Sequence, residues 1–196
     1  MTAEPVPDHA PVAVLIGFMG AGKSTVGVAL ADLLGVGFCD TDHEIVARAG
    51  RSVAEIFADD GEQHFRDLEA QVVADVLATH RGVVALGGGA VMTPTVRSVL
   101  TGHRVVHLAV SPEAGFARVR SSQRPLLRPG PIPGSVETTP QDRYRALLAE
   151  RAATYEQVAA ITTDTTGRAP AVLADEIARA LGVRPVTAPR DEGLPQ

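Results

Sequence analysis

One run of residues in this chain has both the types and the spacing to handle a phosphate chain. Gly17-Phe18-Met19-Gly20-Ala21-Gly22-Lys23-Ser24, followed by Thr25, fits the pattern G-x-x-x-x-G-K-[ST]. The glycines of such a loop let the backbone bend closely around a triphosphate. The amide N–H groups of the Gly20 to Thr25 stretch then point inward at the start of a helix, whose dipole favours anions. Lys23 would reach the β- and γ-phosphates, and the Ser24 hydroxyl would hold Mg²⁺. The plainer alternative is a Gly-rich turn with an incidental lysine; at ordinary residue usage the pattern arises by chance in roughly one chain in a hundred of this length. Basic-residue usage decides against it. Of the 18 basic residues 17 are Arg, and the single lysine is Lys23. It stands where a compact ammonium on a flexible stem is needed and a wide planar guanidinium fits poorly.

Other residues with chemical potential cluster after apolar runs. Asp40 and Asp42 follow the short run Gly37-Phe38-Cys39 and are the carboxylates read at the C-terminal mouth of a strand, where open parallel sheets bind ligands. One would serve a metal and the other an acceptor hydroxyl; the competing reading is that either caps the helix that follows. Gly87-Gly88-Gly89 follows the run Val83 to Leu86, and three glycines there suit a ligand lying against bare backbone. Arg118, Arg120, Arg124 and Arg128 flank or lie within a proline-rich stretch, and of these Arg124, before Pro125-Leu126-Leu127, is the best placed to approach a triphosphate. An Asn-Lys-x-Asp guanine-recognition segment is excluded, because no second lysine exists.

The elements that must position these residues alternate. Val12 to Ile16 reads as a strand, and Val26, Leu30, Leu33 and Leu34 continue a helix that stops at Gly35. A helix follows Asp42 to about Ala49, and Ser52-Val53-Ala54-Glu55 is a capping box opening a short helix that ends near Gly61. Glu62 to Ala78 places Phe65, Leu68, Val72 and Val76 at helical spacing. Thr93-Pro94 and Ser111-Pro112 signal further helix starts on either side of the strand Val105 to Val110. A helix from about Gln141 to Val158, a strand Ile161 to Thr163 and a helix Pro170 to Leu181 complete the pattern. Continuously apolar strands between helices predict a three-layer α/β/α sandwich on a five-stranded parallel sheet, of the P-loop NTPase type. Residues 12–182 form this domain, with a mobile lid at about 119–140; residues 1–11 and 183–196 read as disordered tails.

Composition narrows the partners. A net charge of −5 leaves no basic surplus for nucleic acid. No apolar stretch is long enough to span a membrane, and the N-terminal residues lack a signal-peptide core. Cys39 is the one cysteine, which points to a reducing, cytoplasmic setting. No amphipathic surplus suggests a partner subunit, so a monomer is expected.

Together these pieces resemble the shikimate kinases, which transfer the ATP γ-phosphoryl to the 3-hydroxyl of shikimate on the way to chorismate and the aromatic amino acids. The resemblance runs from about Val12 to Leu181 and rests on the phosphate loop, Asp40-Thr41-Asp42, Phe65-Arg66 with Glu69, Gly87-Gly88-Gly89, Arg124-Pro125-Leu126-Leu127, and Tyr144-Arg145 leading to Arg151. It implies ATP and shikimate as substrates and Mg²⁺ as cofactor. It places Asp40 in the magnesium shell beside Ser24, and Asp42 on the acceptor hydroxyls, to orient or deprotonate the attacking one. Arg66 and Arg151 would grip the substrate carboxylate, Gly88 and Gly89 would offer backbone contacts, and Phe57 and Phe65 would wall the acceptor pocket. Arg124 would be the lid arginine on the phosphates, Pro170 would lie in the loop near the adenine, and Arg118, or else Arg120, would be the nucleotide-side arginine. The residues agree chemically, since a small anionic polyol needs an anion grip and a guanidinium binds a carboxylate bidentately. A second reading is another small P-loop kinase such as a gluconate kinase; a third is a nucleotide-dependent regulator that turns over slowly without an acceptor.

Overall fold

The five apolar runs pair into one all-parallel sheet. In the computed structural model, which describes residues 10–120 and 139–186, the strands are β1 (Ala13–Ile16), β2 (Phe38–Asp40), β3 (Val83–Ala85), β4 (Val105–Ala109) and β5 (Ile161–Asp164). Their spatial order is β2-β3-β1-β4-β5. In register, Ala13 lies beside Val83, Val14 beside Val105, and Ala109 beside Asp164. The chain runs from β1 out to β2, returns to β3 and then crosses to β4. The phosphate loop after β1 and the triple glycine after β3 therefore emerge side by side, at the carboxyl edge of neighbouring strands.

Alternation along the central strands explains the layers. Ala13 and Leu15 of β1, with Val106 and Leu108 of β4, pack on α1 (Lys23–Leu34) and α8 (Pro170–Ala180) through Val26, Leu30, Leu173 and Ile177. Val14 and Ile16 of β1, with Val105 of β4, face the other layer: α2 (Thr41–Ala49), α3 (Val53–Asp59), α4 (Gly61–Thr79), α5 (Pro94–Val99), α6 (Pro112–Val119) and α7 (Pro140–Val158). Both faces of the central strands are thus covered, as parallel sheets require. The outer strands depart from the expected apolar runs. β2 is half-buried throughout, and β5 exposes Thr162 and Asp164 while burying Thr163, because each has only one neighbouring strand. β5 also ends one residue later than expected, which puts Asp164 at the same edge of the sheet as Asp40.

Local chemistry sets the helix ends. Gly35 closes α1 at φ 65° with its N–H on the Ala31 and Asp32 carbonyls, a conformation that favours glycine. Ser52 and Glu55 form the capping box expected for α3. A second box, Thr139 with Asp142, opens α7 with Pro140 at its first position. The helices thus extend into the span expected as a lid: Val119 is buried at the end of α6, and Pro140 is already helical. Thr93 makes no side-chain cap; a 3-10 turn, Ala90–Met92, precedes α5, and Arg97 Nη1 donates to Val91 O (2.9 Å) and Met92 O (2.8 Å). Part of the expected C-terminal tail is placed, with Val183 packed beside α8 and Val186 N–H donating to Leu33 O at 3.2 Å.

The start of β3 is the tightest crossing of backbone on backbone. A Cβ on Gly82 would sit 1.9 Å from the Gly37 carbonyl oxygen and 2.9 Å from its nitrogen, atoms that cannot swing aside. Gly82→Ala should therefore destabilise the fold by about 2–3 kcal/mol, read as a lower urea midpoint at unchanged slope. A midpoint equal to that of the parent would contradict this packing.

Candidate active site

The phosphate loop is held by bare backbone. Gly20 (φ 80°) and Gly22 (φ 91°) adopt the left-handed conformation. A Cβ on Gly17 would lie 2.4 Å from Leu108 O, and one on Gly20 would lie 2.5 Å from Gly115 O. The loop therefore sits flush on β4 and α6. Lys23 Nζ donates to Gly17 O (2.8 Å) and Phe18 O (3.3 Å), folded back over the loop. Ser24 Oγ donates to Asp40 Oδ2 (2.7 Å), while Asp40 Oδ1 accepts from Asp42 N (3.0 Å). Asp40 thus caps α2, as the plainer reading expects, while its other oxygen accepts from the Ser24 hydroxyl. Gly20, Gly22, Lys23, Ser24, Thr25, Asp40 and Asp42 line a cavity of about 480 Å³.

Arg118 closes that cavity on one side. Its Nη1 donates to Gly20 O (2.9 Å) and Thr165 Oγ1 (3.2 Å), and its Nη2 to Thr165 O (2.9 Å). It also lines a neighbouring cavity of about 260 Å³ with Ala21, Thr25, Thr165 and Pro170. Pro170 is the first residue of α8 rather than part of a loop. Arg120 is exposed at the end of α6. Arg124 lies outside the described residues.

The oxygen donors suit a hard cation. Ser24 Oγ and Asp40 Oδ2 lie side by side at the cavity wall. No cluster of three or more His, Cys, Asp or Glu residues occurs among the described residues. One hydroxyl and one carboxylate match a cation that keeps most of its shell for water and phosphate oxygens.

A second cavity, of about 510 Å³, adjoins the first, and Met19, Asp42 and Gly88 line both. The glycine turn makes its floor. A Cβ on Gly87 would lie 2.5 Å from Asp42 Oδ1 and 2.7 Å from Glu69 Oε1, and one on Gly89 would lie 2.8 Å from Arg66 Nη1. Only a turn without side chains lets these charged groups close in. Gly87 N–H donates to Thr41 Oγ1 (3.1 Å), which fixes the turn to the start of α2. On α4, Arg66 donates to the buried Glu69 (2.8 Å) and to Glu62 (3.2 Å). Burial pushes the Glu69 carboxyl up and Asp42 adds to the effect, against the pull of Arg66. Burial alone would weaken the Arg66 cation, but Glu69 and Glu62 more than offset this. The Arg66 guanidinium lies 5.3 Å from the Phe65 ring centre and 5.8 Å from that of Phe57. From α7 the buried Arg151 lies 5.4 Å from the Phe18 ring centre and faces the same cavity. Asp42, Phe57, Phe65, Arg66, Gly88, Gly89 and Arg151 are thereby gathered around one space.

Three residues that sequence reasoning left without a role lie beneath the two loops. Tyr144 Oη donates to Met19 O at 2.7 Å, and Tyr155 Oη donates to Gly88 O. Burial pushes the Tyr155 phenol up to about 12, so it remains a neutral donor. Its ring stacks on buried His107 of β4, with centroids 5.0 Å apart and planes at 16°. His107 Nδ1 has no hydrogen-bond partner among the described residues. A signal for the tyrosines was present: the chain's only two tyrosines are 11 residues apart on one helix, three turns, with Arg151 on the same side.

Comparison with known proteins places these features in a family. The shikimate kinase family model matches residues 19–182. A shikimate kinase of Mycobacterium tuberculosis is 49% identical over 175 residues, covering 89% of this chain and 95% of that protein. One from Thermobifida fusca is 48% identical over 172 residues, covering 87% and 95%. Among solved structures, a shikimate kinase from Acinetobacter baumannii in complex with shikimate superposes with a TM-score of 0.80 at 37% identity, covering 88% of this chain and 93% of that one.

His107 makes the floor sensitive to pH. Burial pushes its imidazole below the ordinary value, helped by the Lys23 charge and opposed by Glu156. The folded chain therefore takes up this proton at a lower pH than the unfolded chain, which does so below about pH 6.5. Its contribution to stability is whole above that pH and is lost as the pH falls. His107→Phe keeps a ring on Tyr155 and removes the titration. The stability of the parent minus that of the variant, from urea melts at pH 7.5 and 5.5, should fall by at most about 1.4 kcal/mol per pH unit. A difference that ignores pH would contradict an imidazole that burial holds below its ordinary value.

Proposed function

The chain belongs to the shikimate kinase family, and from that premise we propose that its two adjoining cavities hold ATP and shikimate so that the γ-phosphoryl passes directly to the 3-hydroxyl. The observation that carries the reading is the shared wall. Lys23 and Asp42 face the 480 Å³ space, and Asp42 also faces the 510 Å³ space that Arg66 and Arg151 line.

The amides of the Gly20 to Thr25 stretch, with Lys23, would cradle the phosphates and neutralise the charge that develops on transfer. Arg118 would hold the nucleotide side of the loop, with Pro170 near the base. Ser24 and Asp40 would hold a Mg²⁺ ion, whose chemistry when bound is to neutralise the β- and γ-oxygens. Arg66 and Arg151 would grip the shikimate carboxylate, with Gly88 and Gly89 offering backbone and Phe57 and Phe65 the walls. Held that way, the ring presents its hydroxyls to Asp42, which orients the attacking one and accepts its proton. Rate acceleration would come mostly from positioning and fixed charge, because phosphoryl transfer leaves little covalent chemistry to the protein. Arg124, by its resemblance, would complete the phosphate contacts. A monomeric, cytoplasmic enzyme is part of the same proposal.

Purified protein should consume ATP only when shikimate is present, and gluconate should not replace it. Lys23→Met should lose essentially all turnover. Arg66→Ala should raise the KM for shikimate by about 30-fold or more while that for ATP stays within about threefold, since it removes one arm of a charged grip. Asp42→Asn should lower kcat by roughly 10² or more. Equal effects of Arg66→Ala on both substrates would remove the carboxylate grip, and an unchanged kcat in Asp42→Asn would leave Asp42 no part in the chemistry.

A further inference from the structure

We propose that Tyr144 and Tyr155 are a matched pair of positioning residues: from one helix, each grips a loop carbonyl from behind and thereby turns the next amide N–H of that loop toward its substrate, Tyr144 on the nucleotide side and Tyr155 on the acceptor side. The inference rests on the assignment of the two cavities to ATP and shikimate.

The geometry is the same twice. Tyr144 Oη donates to Met19 O (2.7 Å), so the Met19–Gly20 peptide has its oxygen toward α7. In a trans peptide the N–H points opposite to the C=O, and no peptide bond among the described residues is cis. The Gly20 N–H therefore points away from Tyr144, toward the cavity that Gly20 lines. Tyr155 Oη donates to Gly88 O, and the same argument turns the Gly89 N–H toward the 510 Å³ cavity that Gly89 lines. Neither amide has a hydrogen-bond partner among the described residues. Each is thus a donor held ready for a ligand oxygen, with its orientation set in advance.

Neighbouring residues show that both placements are built. Tyr144 is fully buried, its ring set edge-on against Phe18 (4.9 Å) and Phe116 (5.9 Å). A Cβ on Gly115 would lie 2.0 Å from Tyr144 Oη, so α6 carries a glycine in mid-helix, an otherwise unfavourable choice, where the hydroxyl must pass. Tyr155 is kept in place by its stack on His107 and remains protonated far above neutral pH. Arg151 lies on the same helix between them, over the Phe18 ring.

The test is a crossed pair of variants that keep the rings and remove only the hydroxyls. Tyr144→Phe should raise the KM for ATP about five- to tenfold and leave that for shikimate within about twofold; Tyr155→Phe should do the reverse. A merely structural role would lower the melting temperature of both variants without this split, so unchanged KM values, or equal shifts in both substrates, overturn the proposal. Should either variant fail to fold, the parent chain labelled with 3-fluorotyrosine decides, since two tyrosines yield two ¹⁹F signals. ADP with Mg²⁺ should move mainly one signal and shikimate mainly the other. If both ligands move the same signal, or neither moves one, the pair has no such division. Parent turnover that does not depend on shikimate would instead remove the cavity assignment itself, a different failure from crossed or absent KM shifts in an active enzyme.

Discussion

Backbone pressed against backbone is the constraint on which this molecule depends. The phosphate loop lies flush on β4 and α6, since Gly17 meets Leu108 O and Gly20 meets Gly115 O with no room for a methyl group. That contact fixes where α1 begins and so where its N-terminal amides converge. It also sets the spacing between the loop and the glycine turn after β3, its neighbour across the sheet. Much of the remaining core holds these two turns side by side: the apolar layers fix the strands, the caps fix the helix starts, and α7 braces both turns from below.

Electrostatics in the 510 Å³ cavity follow from the same economy of space. Glu69 is buried beneath Arg66 and gives the guanidinium a fixed bearing, while Phe57 and Phe65 flank it with flat faces. A surface pair at this helical spacing would be worth only a few tenths of a kcal/mol. Buried, it is better understood as a way of aiming a cation, because truncating either partner would strand the other charge away from water. Arg151 reaches the same space from α7 and rests on Phe18, a residue of the phosphate loop itself. The two cavities therefore share walls as well as a boundary.

Much of this was legible in the sequence, for reasons that differ by element. Gly17 to Ser24 was readable because backbone geometry and ligand charge leave few alternatives to glycine and lysine. Ser52 with Glu55 was readable because a capping box is local. The 3.6-residue period along Glu62 to Ala78 was readable because one face is buried. Strand order was not, since nothing local distinguishes β2 at the edge from β3 beside β1. The polar face of β5 and the position of Asp164 come from that edge placement, which only the assembled sheet reveals. Thr139 and Asp142 box the start of α7, but the prolines before them read as continuing loop. Tyr144 stood in a motif without a role and Tyr155 in none, and their placement emerges from hydrogen bonds spanning 125 and 67 residues.

Asp40 has one oxygen on the first turn of α2 and the other on the Ser24 hydroxyl. In the proposed site, local folding and cation binding therefore draw on a single side chain. If that proposed site holds a cation, loosening of the first turn, by heat or by drift elsewhere in the helix, blunts its affinity before the domain melts. A replacement there must satisfy the Asp42 backbone amide and, in the proposed site, a hard ion together.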